Sequence, residues 1–503
     1  MRRYYCRVRK SLFGRVWVIH EVALAKQVGV LHGDSIIPFD KFGAVATFLH
    51  LTGLSVAIAT RIENAGRGRQ VDLITDVFLY QAERTQILRE WCLGDRSAWS
   101  ELMPLVDFTG GVEDESGKAG TASLILLKLL MWTIGFQATD HRDTIYGLWG
   151  ILQQIANARG FEISSHLRPN YSISVTELFE TVATDILETS GTLLLLTLVK
   201  DPQQRLIKEL PSWCPDLSSV VGSHPICGPA LKSVAHVNAG GYIDRGLRSL
   251  PFGGQGGVLS LKGISLGPVE LTGELPHEIS QGMFDKWIKT LLKMDKIYAP
   301  TGQPAIEGFW RTLIHDQDLS TRPAKLVRRH ELRSLLLCQG AGRLPADFTI
   351  SGTEAVSKRI ESWTDLDNLA ERYPDDIEGT DVLRTYCRGK GFLQTAEGEK
   401  LVTEEESDAW KARSYDGATT LIMLMGMTVL YRCMALTAGG HLAHATASTC
   451  VGDVLWILSG CPSPLVLRKV GEDYCIMGEA YVHGVMNGEA ITNDAAWQDI
   501  TLV

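Results

Sequence analysis

The sequence has few cysteines, no long apolar run, no excess of positive charge and none of the common catalytic glycine signatures, and each shortage removes a class of protein. Ten cysteines in 503 residues are irregularly spaced and form no C-x-x-C pair. That excludes a disulfide scaffold and a ribbon-type zinc site, and fits thiols kept reduced inside a cell. The longest apolar stretches, Leu124 to Gly135 and Leu421 to Tyr431, fall short of the roughly 20 residues that cross a bilayer, so no membrane contact is expected. Lys plus Arg number 49 against 58 Asp plus Glu, a net charge of −9. There is no global field to hold a polyanion, and no nucleic-acid partner is expected. No serine elbow of G-x-S-x-G form occurs. Gly117-Lys118-Ala119 lacks the P-loop spacing, and the glycine run Phe252 to Gly257 precedes a strand pattern rather than a helix, so it lacks the dipole end that binds dinucleotide phosphates. The basic opening Met1 to Lys10 is followed by no apolar run of signal-peptide length before Glu21. Secretion is therefore not expected; an Arg-rich mitochondrial presequence is the alternative weighed against a cytoplasmic location.

What is present is ordinary globular material: 45% hydrophobic and 21% charged residues, enough apolar area for real cores. The length implies about two to four domains. Apolar spacing predicts a helix from Arg15 to Val28 ending at Gly29, a strand and turn over Val30 to Phe42, and helices over Ala44 to Ala59, Val71 to Glu101, Thr121 to Thr133, Asp140 to Gln154 and Thr176 to Thr189. Gly191 to Val199 reads equally as helix or strand. Leu210-Pro211-Ser212-Trp213-Cys214-Pro215-Asp216 is a rigid non-helical crossing. Beyond it come a strand at Val258 to Ile264, a helical block of mixed charge from about Met283 to Arg413, and short β-type runs at Thr419 to Tyr431, Val451 to Ser459, Leu465 to Val470 and Tyr474 to Val482. The expected class is α+β, mainly helical in its N-terminal and middle regions, with a C-terminal β-rich module, a small antiparallel sheet or barrel. The expected divisions are 1–50, 51–220, 221–415 and 416–503.

Several constellations bear chemistry. Glu21 follows Trp17 by one helical turn and precedes Leu24 by three residues, so its carboxylate is expected on the core-facing stripe, where a buried acid must be paired or neutral. One reading makes it a carboxylate of perturbed pKa in an aromatic-lined cleft; the other, which is preferred, pairs it with Arg15 or Arg142. Asp140 and Asp143 stand like a capping box before Ile145, Leu148, Trp149 and Leu152. Arg142 and Tyr146 are expected to reach neighbouring acids or carbonyls, with a phosphate contact by Arg142 as the alternative. Cys433, His441, His444 and Cys450 are zinc-compatible ligand types in an unfamiliar spacing, and no metal is expected there. His483, at the end of a strand, is a candidate general base without a serine partner.

Three blocks together resemble the fungal heterokaryon-incompatibility (HET domain) proteins. Arg15-Val16-Trp17-Val18-Ile19-His20-Glu21 is similar to that domain's Arg-x-Trp-x-x-Gln-Glu motif, with His20 where glutamine is usual. Asp140-His141-Arg142-Asp143, Tyr146-Gly147-Leu148-Trp149-Gly150, Pro169-Asn170-Tyr171-Ser172 and Leu210-Pro211-Ser212-Trp213 are similar to the segment that follows it. Gly452-Asp453-Val454, Pro464 to Arg468 and Gly478 to Ala490, containing Tyr481, His483, Gly484, Gly488 and Glu489, are similar to the C-terminal block of large members. The aromatic Leu-Ser-Tyr-x-Trp-Gly strand and the second, acidic motif that open the domain in the family are missing, so residues 1–50 read as its remnant in an N-terminally truncated member. The resemblance implies a role in non-self recognition and programmed cell death through contacts with other proteins, without a cofactor. It also implies an alternative, a TIR-like NAD-cleaving hydrolase using Glu21; an accessory protein of a fungal metabolic pathway is a third reading.

Overall fold

The computed structural model describes residues 3–5, 14–32, 34–52, 72–93, 118–190, 192–218, 226, 237–241, 257–275, 278, 285–317, 322–325, 329–340, 363–374, 392–395, 398–401, 417–418, 420–421, 424–425, 428, 431–492 and 494–503. They fall into two units, one of residues 1–195 and 205–221, the other of 196–204 and 222–503. The glycine/arginine segment Asn64 to Gln70 and the glycine run at 252–256 lie outside the described residues.

In the first unit, β1 (Arg3–Tyr5) runs parallel to β2 (Gly29–His32), which forms a hairpin with β3 (Ser35–Pro38). The helices are α1 (Val16–Leu24), α2 (Phe39–Thr52), α3 (Asp72–Cys92), α4 (Lys118–Trp132), α5 (Asp143–Tyr146), α6 (Trp149–Arg159) and α7 (Val175–Ser190). The segment expected as helix or strand becomes a 3-10 turn, Leu194–Leu198. α1 is shorter than its pattern suggests and differs in the face it buries. Val16, Val18, Ile19, Val22 and Ala23 point inward, whereas Trp17 is 37% exposed and Glu21 half-buried. The expected Trp17/Glu21 core stripe is therefore corrected: they sit on the outer side. The reason is that Val-Trp-Val-Ile-His-Glu-Val-Ala-Leu is apolar nearly all round, so its own periodicity selects no face. Its neighbours do. Gln137 N donates to Gly14 O at 2.6 Å just before the helix, and Val16 N donates to Gln137 O at 3.1 Å. Val16 then packs on Gly147 so closely that a Cβ there would lie 2.5 Å from Val16 Cγ1. The expected docking of α1 beside the 140–150 segment is present, through Val16 rather than through Trp17.

The end of α1 is held from α3. Arg89, fully buried, donates to Val22 O at 2.9 Å, to Lys26 O at 3.3 Å and to Ala25 O, and pairs with Asp40 at 2.7 Å. Val22 O is one of the carbonyls that the last turn of a helix leaves without a partner, and Ala25 and Lys26 follow directly on that end, where a cation is also favoured by the dipole.

The second unit is built on one long strand, β4 (Leu259–Thr272). It continues the strand expected from Val258, and three partners share it: β15 (Gln498–Leu502) along 259–263, β11 (Val454–Leu458) along 263–268, and β9 (Arg432–Thr437) along 269–272. β11 pairs onward with β12 (Leu465–Val470), β12 with β13 (Asp473–Glu479), and β13 with β15 in parallel, so these strands and β4 close a ring. β9 carries the sheet on through β10 (Leu442–Thr446) to β14 (Tyr481–Val482). The β-rich C-terminal module is as expected, with a strand recruited from far upstream. Against it lie α8 (Asp285–Lys293), the small hairpin β5 (Ile297–Tyr298) and β6 (Gln303–Pro304), α9 (Ala305–Leu313), α10 (Arg329–Gly340) and α11 (Trp363–Arg372). Their core joins Trp287, Leu291, Phe309, Leu313, Leu335 and Leu369 to Met434 and Leu442 of the sheet. Glu274 caps α8, accepting from Trp287 N at 3.2 Å and from Lys286 N, and burial pushes its carboxyl up to about 7.

Two expectations fail here. The run Thr419 to Tyr431 is not a strand: its described residues up to 425 are helical and Leu421, Leu424 and Met425 join the helix core. A short apolar run buries equally well in either form, and here the surrounding helices decide. Within the block expected to be helical, β7 (Phe392–Thr395) and β8 (Gly398–Leu401) form a hairpin.

Candidate functional site

The residues singled out by pattern form separate clusters. In the first unit Arg15, Trp17 and Glu21 mark α1. Trp17 stands edge-on to the His20 ring at 5.8 Å, and burial lowers the His20 pKa against the pull of Glu21. Arg142, expected as a partner for Glu21, is committed elsewhere. Asp140 Oδ1 accepts from Arg142 N at 3.0 Å, and the guanidinium returns to the same carboxylate at 2.8 Å, which holds the Asp140 carboxyl below its usual value. Arg142 Nη1 also donates to Tyr171 O at 2.6 Å and Ile173 O at 3.1 Å. Tyr146, buried, donates to Asn170 O at 2.9 Å, while Tyr171 donates to Asp143 Oδ1 at 2.7 Å. The expected capping box is thus corrected. Asp140 binds the residue two on instead of capping α5 three residues on, because the arginine between the two acids bends its carboxylate back. The two motif blocks around 140–146 and 169–172 are halves of one latch. Replacing Tyr146 by Phe is expected to lower stability by about 1 kcal/mol, the ordinary net worth of one buried hydrogen bond, read by urea denaturation.

Trp213 is fully buried in the same unit. Arg205 Nη2 gathers the carbonyls of Leu210, Pro211 and Cys214 at 3.0, 3.0 and 3.2 Å, so the proline-rich crossing is wound around one guanidinium.

In the second unit the C-terminal motifs do come together. Gly452 (φ +95°), Gly484 (φ +83°) and Gly488 (φ +91°) occupy the left-handed region that favours glycine. Asp453, just after the first, forms a two-pronged pair with Arg468 at 2.7 and 2.9 Å and accepts from Cys450 N at 2.8 Å. This ties the start of β11 to β12. Glu489 accepts from Asn487 N at 2.7 Å and Asn487 Nδ2 at 2.8 Å, fixing the turn around Gly488.

Beside β14 lies a buried chain of aromatic and imidazole groups. The His315 ring stacks on Tyr481 at 4.8 Å and 13°, and His315 Nε2 meets His444 Nδ1 at 3.1 Å. Tyr481 Oη lies 3.2 Å from His483 Nδ1, and His483 Nε2 lies 3.0 Å from Gln303 Oε1. The Gln303 amide nitrogen donates to Glu307, which accepts from Arg311 Nε at 2.8 Å. That orientation assigns Nε2–H to His483, leaving Nδ1 to accept the Tyr481 hydroxyl. Tyr298 stacks on His483 and donates to its carbonyl oxygen at 2.8 Å. His315 and Asp316 both adopt φ of +52°, a conformation that bulky residues hold only when their surroundings impose it. Burial pushes His483 down to about 4 and His444 to about 3, and takes His315 well below its ordinary value. An imidazole so depressed stays neutral near pH 7 and is a weak base, which argues against His483 as a general base.

Further along β13 and β9 a buried ion pair joins Arg432 to Glu479 at 2.7 Å. Arg432 also donates to Glu479 O at 2.9 Å, while the carboxylate accepts from Ile226 N at 2.6 Å and Ser463 Oγ at 3.1 Å.

The residues of the weighed zinc pattern go separate ways. Cys433 Sγ contacts Thr446 O, Cys450 is exposed near Ser448 O, and His444 belongs to His315. Among the described residues no group of His, Cys, Asp and Glu side chains has the arrangement of a metal site, and no helix is long and apolar enough to cross a membrane.

Residues 358–503 match the family described as the Het-6 beta-barrel domain. The match takes in α11 and every strand from β7 to β15, hence Arg432, His444, Asp453, Glu479, Tyr481 and His483. It links this part of the chain to heterokaryon-incompatibility-type proteins. β4, which closes the ring with β11, β12, β13 and β15, and His315, which reaches His444, both lie upstream of the matched range. No curated protein and no solved structure matches the chain.

Sequence reasoning missed His315, Gln303, Arg432 and Glu479. His315 is 129 positions from its partner His444 and has no pattern to announce it. Arg432 does carry a signal, being the charged residue of an otherwise apolar strand, Arg-Cys-Met-Ala-Leu-Thr, where a charge implies a buried partner.

Proposed function

We propose that this protein is a heterokaryon-incompatibility-type protein of fungal non-self recognition, acting in the cytoplasm in programmed cell death through contacts with other proteins. The observation that carries the reading is the Het-6 barrel at 358–503. The geometry of the motif residues supports a non-catalytic role: Asp140, Arg142, Asp143, Tyr146, Asp453 and Glu489 all spend their polar groups on turns, latches and ion pairs of the fold itself. Glu21 is half-buried on the outer side of α1, one turn from the exposed Trp17, rather than on the core-facing stripe. The test pairs two assays. Purified protein incubated with NAD is expected to release no nicotinamide, and expression in a fungal host is expected to arrest growth equally for the natural chain and for Glu21→Gln. Nicotinamide release that Glu21→Gln abolishes overturns this reading in favour of the NAD-cleaving one.

A further inference from the structure

We propose that Arg84 anchors an oxyanion-binding site in the first unit, taking the carboxylate or phosphate group of a small ligand. Arg84 lies on α3 and is 3% exposed. Its guanidinium carbon lies over the Trp132 ring, 3.7 Å from the centroid, and over the Tyr80 ring at 4.7 Å. The indole is fixed in turn, because Trp132 Nε1 donates to Arg84 O at 3.1 Å.

Each of the other buried arginines has oxygen partners on its guanidinium. Arg89, five residues along the same helix, reaches three carbonyls and Asp40. Arg205 gathers three carbonyls, Arg311 pairs with Glu307 and Asp316, and Arg432 pairs with Glu479. Among the described residues no oxygen reaches the buried Nε and Nη1 of Arg84, which have no hydrogen-bond partner. The neighbouring Glu83 is buried too, yet among the described residues no carboxylate pairs with Arg84.

Stacking on two aromatic rings offsets part of the desolvation of the cation, but it uses the flat faces of the guanidinium. The N–H donors point outward in its plane, and that edge is the one that matches the two oxygens of a carboxylate or phosphate. A neutral acceptor would satisfy the hydrogen bonds and leave the charge uncompensated, whereas an oxyanion does both. Tyr80 reports the same desolvated surroundings: burial raises its pKa while the charge of Arg84 pulls it down.

The experiment uses the full chain, with equilibrium dialysis against labelled inorganic phosphate, acetate and AMP at constant ionic strength, and thermal melts in the same solutes. Saturable binding of one equivalent of at least one of these is expected, with a matching rise in melting temperature. Phosphate binding as tightly as AMP identifies the free ion, tighter AMP an organic phosphate, and acetate alone a carboxylate. Arg84→Lys, which keeps the charge and loses the planar fork, is expected to weaken binding about tenfold or more, and Arg84→Met to abolish it. Absence of saturable binding to the natural chain overturns the proposal, as does unchanged affinity in Arg84→Lys. Should Arg84→Met fail to fold, the natural chain and the lysine variant decide the question.

Discussion

Replacing Arg432 by methionine is expected to destabilise the second unit by about 3–5 kcal/mol, because it strands the Glu479 carboxylate in the interior. Glu479 has no solvent to turn to: it is buried among Ile226 N, Ser463 Oγ and the guanidinium. Burial already drives its carboxyl upward against the pull of Arg432 and of the donated hydrogen bonds. The informative variant is the pair. Adding Glu479→Gln to Arg432→Met leaves a neutral amide that still accepts from Ile226 N and Ser463, so the double variant is expected to be more stable than Arg432→Met alone. Urea denaturation of the two single variants, the double variant and the natural chain measures the coupling. A double variant that loses as much as both single losses added would mean that charge pairing is not what holds this end of β13 to β9.

Acidification is the second large effect, and its sign follows from the histidines beside β14. His444 and His483 are held at about 3 and about 4, and His315 well below its ordinary value, so all three are neutral in the folded chain. In the unfolded chain each takes a proton below about pH 6.5. The unfolded state therefore binds more protons, and stability falls as the pH drops from about 6.5 until the folded histidines themselves protonate. His444 and His483 each contribute a loss of about 2 kcal/mol between pH 7 and pH 5, about 4 kcal/mol together over that range, and His315 acts in the same direction. Urea unfolding at a series of pH values reads the slope. His444→Gln, which costs stability at every pH through His315, is expected to flatten the slope by one proton's worth. A profile that is equally steep without His444 would exclude it from the titration. The charges that act most on this cluster are cationic, Arg432, Arg322 and Arg311, and they disfavour an imidazolium there, while the neighbouring carboxylates Asp316 and Glu307 are paired with Arg311. At His483 the charge of Glu489 acts in the opposite sense.

The latch around Arg142 was legible only in part: that Arg142 and Tyr146 reach acids or carbonyls was expected, and Asp140 lies two residues from Arg142, but the partners at 170–173 are 24 to 31 positions away and were not read. The turns at Gly452, Gly484 and Gly488 were legible, since a left-handed φ is cheap only for glycine. The ring of strands was only half legible. Strands β11 to β14 fall in the β-type runs read from the sequence, whereas β9, β10 and β15 do not, and nothing in Leu259 to Thr272 announces that it will pair with β9, β11 and β15, which begin more than 150 positions later. Pairing of that range is settled by the shape of the whole sheet and carries no local mark.

By itself the sequence determined the α+β class, the C-terminal β module, the glycine turns and the resemblance later met by the Het-6 match, because periodicity and turn chemistry act over a few residues. Tertiary structure alone decided which side of α1 faces inward, that the described residues of the run before Tyr431 up to 425 are helical, that His315 finds His444, and that Arg84 stacks on Tyr80 and Trp132 with no oxygen at its Nε and Nη1 among the described residues. Each of those depends on what the rest of the chain brings alongside. A helix that is apolar all round, or a buried charge whose partner is distant in the chain, holds no record of its neighbours in its own residues.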